Sequence, residues 1–153
     1  MTYIDETDLG EFLEGYRDAM LWANTVEYGD GDLAGDGAAE GEMGPALCAE
    51  DADIESTTWV DAEAECTAFL ESITEDSVLP VSDDGAILWP RGGYGPGAYG
   101  ARAAGSDFAL TRNGHGTGFW DRGLGDVGDV LTDMAKAYGE ATWLLVDGVA
   151  TAL

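Results

Sequence analysis

The chain has 153 residues, 45% apolar content with five Trp, and a formal charge of −25. That is enough apolar material for one packed domain over residues 1–153, and it excludes a wholly disordered chain. No apolar run approaches the ~18 residues of a membrane span. The acidic first ten residues do not read as a secretory leader, so the expected setting is the cytoplasm, with no membrane partner.

The acid is unevenly spread. Residues 1–84 carry twenty-four acids against one base, Arg17, a balance of −23. Residues 85–153 carry seven acids against five bases, a balance of −2. A coat that only adapts a protein to salt has no reason to stop near residue 84. Lys and Arg are what neutralise phosphates, and six of them against thirty-one acids argue against direct nucleic-acid binding.

In chain order, Asp5–Asn24 is predicted as a helix. Leu9, Phe12, Leu13, Tyr16, Met20 and Ala23 recur at three- and four-residue steps, and Asp5 is placed to cap the start. Glu11, Glu14 and Asp18 fall on the opposite face with only Arg17 nearby. Tyr28–Gly44 is a Gly/Asp loop. Asp30, Asp32 and Gly35 match the start of a calcium loop, but Ala34 and Gly41 occupy two positions that need oxygen ligands. A flexible acidic loop is the better reading. Pro45–Ile54 adds at most a short helical turn.

Ser56–Ser77 is predicted as a second helix, capped by Ser56 or Thr57, with Trp59, Cys66, Phe69, Leu70 and Ile73 on its apolar face. Asp61, Glu65, Glu71 and Glu75 lie off that face. Across residues 50–84 there are twelve acids and no base, an arrangement that costs stability through like-charge pairs. Cys48 and Cys66 lie eighteen apart without metal spacing and read as two reduced thiols.

Ala86–Trp89 suggests a short strand, and Arg91–Gly105 a Gly-rich surface loop. Asp107–Thr111 and Gly118–Asp121 alternate around Asn113-Gly114, which predicts a hairpin. Leu124, Val127, Leu131, Met134, Ala135 and Tyr138 predict a helix stopped by Gly139. Thr142–Val146 and Val149–Leu153, joined at Asp147-Gly148, predict a second hairpin. The expected class is therefore α+β, an antiparallel C-terminal ββαββ sheet packed with two N-terminal amphipathic helices. In this scheme residues 1–84 form an acidic helical part and residues 85–153 the sheet-forming part. Trp120, Leu131 and Met134 are expected in the core, with Phe12, Trp22 and Phe69 against them.

The stretch Asp107–Gly123, DFALTRNGHGTGFWDRG, resembles a motif written D-F-W-L-T-R-N-G-H-G-A-G-F-W-D-R-G. That motif marks a family of small, functionally uncharacterised proteins of tailed bacteriophages, many infecting actinobacteria. Ala109 stands where the family commonly has Trp, and Thr117 where it commonly has Ala. The flanking segments around Ala19–Trp22, Glu65–Phe69 and LTDMAKAYG match more loosely. Residues 29–43 and 90–105 depart from the pattern. The resemblance implies a phage accessory protein in a bacterial host's cytoplasm and carries no mechanism.

Two kinds of site follow from the residues. A catalytic reading makes His115 a general base oriented by Asp121, with Arg112 holding an anion. The chain has one His, no paired nucleophile and no metal spacing, so this is the alternative, and no cofactor or metal is expected. The leading reading makes Glu11, Glu14, Asp18, Asp61, Glu65, Glu71 and Glu75 a protein-binding surface. Carboxylate rows there would occupy the cationic groove of a basic host protein, such as a nuclease, defence effector or DNA-repair enzyme, by DNA mimicry. A third reading is a halophilic or structural protein whose acids only keep it hydrated.

Overall fold

The structure is a computed structural model describing residues 4–28, 43–46, 49, 51–90 and 99–153. The possible calcium loop, Cys48 and the first part of the second Gly-rich loop lie outside these residues.

The first helix forms where its apolar stripe and cap place it. Helix α1 spans Glu6–Ala23, and the Asp5 carboxylate accepts from the amides of Thr7 and Asp8, each at 3.0 Å. Phe12, Tyr16, Met20 and Leu21 are buried along its inner face. The chain then enters strand β1 (Thr25–Tyr28), followed by β2 (Met43–Pro45) and β3 (Asp53–Ile54). Helix α2 spans Ser56–Glu75. Its cap is Glu55, one residue earlier than expected: the carboxylate accepts from the amides of Thr57 (3.0 Å) and Thr58 (2.8 Å). Those amides hold the Glu55 carboxyl down at about 2.

The class is α+β, but the sheet is not the predicted one. Its strand order is β2-β1-β4-β5-β3, with β4 spanning Trp143–Val146 and β5 Val149–Ala152. The β4–β5 hairpin forms as expected around Asp147-Gly148, and Asp147 takes the positive φ (50°) that such a tight turn requires. It is inserted between β1, which runs parallel to β4, and β3, which runs parallel to β5. The sheet is thus mixed, and three of its strands come from residues before 84. Ala86–Trp89 contributes only a bridge between Ile87 and Val81.

The largest departure is at the centre of the motif. Residues 107–121 are not a hairpin. Ala101–Arg112 is helix α3, and Phe119–Asp121 is a single 3-10 turn. Ala101, Ala104, Gly105, Phe108 and Arg112 recur at helical steps along one buried face. Reading residues 91–105 as a loop cut this pattern in two. Asn113-Gly114, which suits a hairpin tip, instead ends the helix, with Gly114 at φ 72°. Helix α4 (Asp126–Lys136) follows as predicted, with Leu131 and Ala135 fully buried, Met134 half-buried, and Gly139 beyond its end.

Helices α1 and α3 cross at Gly15 and Gly105, where a Cβ would lie 1.9 Å from the carbonyl oxygens of Arg102 and Phe12 respectively. The Ser106 hydroxyl donates to the Gly15 carbonyl at 3.0 Å. Around this crossing sits an aromatic core in which Phe108 stacks on Phe69 with ring centres 4.3 Å apart, and Phe12, Tyr16, Phe119 and Tyr138 complete the cluster. Phe12 and Phe69 are therefore core residues, as expected. Trp22 and Trp120 are not: they are 71% and 42% exposed. The 3-10 turn sends Phe119 inward and its neighbour Trp120 out, so of this pair only Trp120 departs from the expected core.

Asp8 ties the segment after α2 to the start of α1. Its carboxylate accepts the Ile87 amide at 2.7 Å, and burial, with Asp5 and Glu11 nearby, raises its pKa. A raised folded-state pKa means the native state holds the proton longer than the unfolded chain. Stability from this group is present below the unfolded value and is lost as pH rises through the folded one. Asp8→Asn keeps an acceptor for Ile87 and cannot ionise. Its stability relative to the parent should therefore increase as pH rises above about 4, the ordinary carboxylate value, read from paired denaturation curves. A difference that is flat with pH would contradict the assignment.

Candidate functional site

The motif's polar residues are used within the fold. Arg112, whose side chain is 3% exposed, lies under α2 and against the end of α4. Its Nε and Nη2 donate to the carbonyls of Gly139 (2.8 Å) and Tyr138 (3.2 Å). Its Nη1 donates to the Tyr16 hydroxyl at 3.1 Å and reaches Glu65 Oε2 at 2.7 Å. The guanidinium also lies 5.4 Å from the centre of the Phe108 ring and 5.7 Å from that of Tyr138. Arg112 therefore terminates one helix and joins three.

His115 is bound elsewhere. Its Nε2 lies 3.1 Å from Asn24 Oδ1, while the Asn24 amide nitrogen donates to the Ala141 carbonyl and to Thr142 Oγ1. With the Asn24 oxygen facing the ring, Nε2 carries the proton and is a donor. Asn113 completes this junction by accepting the Ala141 amide at 2.7 Å. The junction fastens the end of α1 to the lead-in of β4.

Asp121 belongs to a third network. It accepts from the Gly118 amide (3.0 Å) and the Thr117 hydroxyl (3.0 Å), and the Gly118 amide lowers its pKa. Arg122 turns back to Asp107, a buried carboxylate that it meets with both Nε and Nη2 and that also accepts the Tyr99 hydroxyl at 2.7 Å. Among the described residues no hydrogen bond joins Arg112, His115 and Asp121 to one another. A general base oriented by Asp121 is not assembled here. Cys66 is a buried free thiol whose pKa is pushed up by burial, so it is no nucleophile. Among the described residues no group of three or more His, Cys, Asp or Glu is placed to hold a metal ion, and no helix is long and apolar enough to cross a membrane.

The seven carboxylates divide by helix. On α1, Glu14 and Asp18 are met by Arg102 of α3 at 3.4 and 2.7 Å, and Asp18 also by Arg17 at 3.6 Å. Arg102 sits in a Gly- and Ala-rich segment that reads as a loop, so the sequence alone does not bring it to α1. Glu11 is exposed beside them. On α2, Glu65 is turned inward to Arg112. Asp61 and Glu75 are exposed and Glu71 half-buried. Glu63, which the sequence reading passed over, is also exposed. Among the described residues no cation pairs with Asp61, Glu63 or Glu71. Neither is there a basic residue in the last turn of α2, where the helix dipole would favour one.

Two shallow depressions, open to solvent, touch the α2 surface. A depression of about 450 Å³ is lined by Val60, Glu63, Ala64, Thr67, Ala68 and Glu71. A second, of about 550 Å³, lies toward the start of the helix among Arg17, Asp53, Ile54, Ser56, Trp59 and Val60. Asp61, Glu63 and Glu71, with no cation partner among the described residues, make the outer face of α2 the best candidate for a functional surface. No protein-family model, no curated protein and no solved structure matches this chain.

Proposed function

We propose that this chain is an acidic accessory protein, of the tailed-phage type that its central motif resembles. It binds and inhibits a basic host protein that itself binds nucleic acid, presenting carboxylates where that partner expects phosphates. The partner is a nuclease, a defence effector or a DNA-repair enzyme of the bacterial cytoplasm. What carries the reading is the acid of α2 that the fold leaves without a cation among the described residues: Asp61, Glu63 and Glu71, on a helix with no basic residue in its last turn. Like charges so arranged lower the stability of the free protein, and a cationic partner would offset that cost. The internal pairing of Glu14, Asp18 and Glu65 narrows the surface to α2, leaving Glu11 apart from it beside Arg102 of α3.

The test is capture of a basic partner from host lysate, followed by competition with duplex DNA. The captured protein should be displaced by DNA. Its association rate should fall steeply with salt, because steering between charges is screened beyond ~10 Å at 0.1 M ionic strength. Binding indifferent to both DNA and salt would overturn the proposal.

A further inference from the structure

Helix α2 presents two parallel rows on its outer face. Val60, Ala64 and Ala68 follow one another at four-residue steps, and Glu63, Thr67 and Glu71 do the same beside them. Val60 is 62% exposed although it is a branched aliphatic residue in the middle of the face. Ala64 and Ala68 are exposed too. Val60 borders both depressions, and the second adds Trp59 and Ile54, which are only partly covered, to the open face. From Val60 to Glu71 it runs about 16 Å, three helical turns.

We infer that this face receives an amphipathic, basic α-helix of the partner, the apolar ridge of that helix lying along Val60, Ala64 and Ala68 and its Lys or Arg residues opposite Glu63 and Glu71. This rests on the proposed binding of a basic protein and specifies where and how. Rows at four-residue steps are the ridges and grooves by which helices pack, and alanines in a row let the partner's axis come close. Charge selects the occupant. A second copy docked through the same face would bring Glu63 and Glu71 against their own counterparts, with no cation among the described residues of the face except Arg17 at its far end. A basic helix meets both requirements at once, apolar contact in the row and opposite charge on its flank.

The test uses the full chain and a synthetic 18-residue helix carrying a Leu ridge at four-residue steps with Lys on both flanks, and a scrambled peptide of the same composition. Binding is followed by titration, peptide helicity and amide chemical shifts of the protein. The patterned peptide should bind at least tenfold tighter than the scrambled one, gain helicity, and shift amides around Val60, Ala64 and Ala68. Ala64→Trp should weaken it about tenfold with no change in melting temperature, since the site is exposed. Glu63→Gln with Glu71→Gln should flatten the salt dependence. Equal binding of both peptides would overturn the helix assignment and leave the acidic-binder reading standing. Failure of both to bind even at low salt would overturn the two together. A dimer in sedimentation that Ala64→Trp abolishes would give the face to a second copy instead.

Discussion

Gly105→Ala is expected to cost about 3 kcal/mol or more, although alanine is the better helix former. The added Cβ would sit 1.9 Å from the Phe12 carbonyl oxygen and 2.8 Å from its carbon. These are backbone atoms, so no side chain can swing aside. The helices must separate, and separation opens the stacked cluster of Phe12, Phe69 and Phe108 beneath them. Overpacking of a closed core ordinarily costs 1–3 kcal/mol, and backbone obstruction puts this site at the upper end or beyond. Gly10 provides the control. It lies in α1 with nothing within 4 Å of an added Cβ, so Gly10→Ala should stabilise by roughly 0.5–1 kcal/mol through helix propensity alone. Urea denaturation of the two variants decides the matter. If Gly105→Ala is no worse than Gly10→Ala, the α1–α3 crossing is wrongly placed.

Arg112→Met should be comparably damaging, for a different reason. Methionine fills much of the same volume but leaves the carbonyls of Tyr138 and Gly139 and the Tyr16 hydroxyl without their donor. Each buried polar group deprived of its partner costs on the order of 1–3 kcal/mol. Water can reach some of them as the end of α4 loosens, so a total of about 3 kcal/mol is expected. Glu65→Gln should cost somewhat less, about 2 kcal/mol: it takes the counter-charge from a guanidinium whose side chain is only 3% exposed, although the amide oxygen can still accept from Nη1. Arg112→Lys keeps the charge but not the planar fork that spans four acceptors, and should recover less than half of the loss. Equilibrium unfolding of the three variants measures all of this. A loss below about 1 kcal/mol for Arg112→Met would remove Arg112 from the centre of the fold and reopen its side chain for chemistry.

These two expectations also locate what makes the motif so dense in polar residues. Thr111 accepts the Phe119 amide, Arg112 closes α4, Asn113 and His115 hold the lead-in to β4, Asp121 closes its own turn, and Arg122 neutralises Asp107. A stretch that reads like a catalytic turn is a set of tertiary fastenings.

Local chemistry alone determined much of the molecule. The α1 stripe and its Asp5 cap, the α2 face of Cys66, Phe69, Leu70 and Ile73, the stop at Gly139 and the β4–β5 hairpin at Asp147-Gly148 all depend on neighbours within a few residues, and all are where the sequence puts them. The excess of acid in residues 1–84 is likewise a property of composition. What the tertiary structure alone decided depends on distant partners. Asn-Gly ends a helix or turns a hairpin with equal ease, and only the close packing of Gly105 on Gly15 shows that residues 101–112 are helical. Strands β1, β2 and β3 are two to four residues long, too short to carry a pattern; the β4–β5 hairpin offers its edges to β1 and β3, and β2 pairs with the outer edge of β1. Which carboxylates remain available was also beyond the sequence. Arg102 and Arg112 reach Glu14, Asp18 and Glu65 across 47 to 88 positions of chain, and a charge is free or spent according to what folds against it.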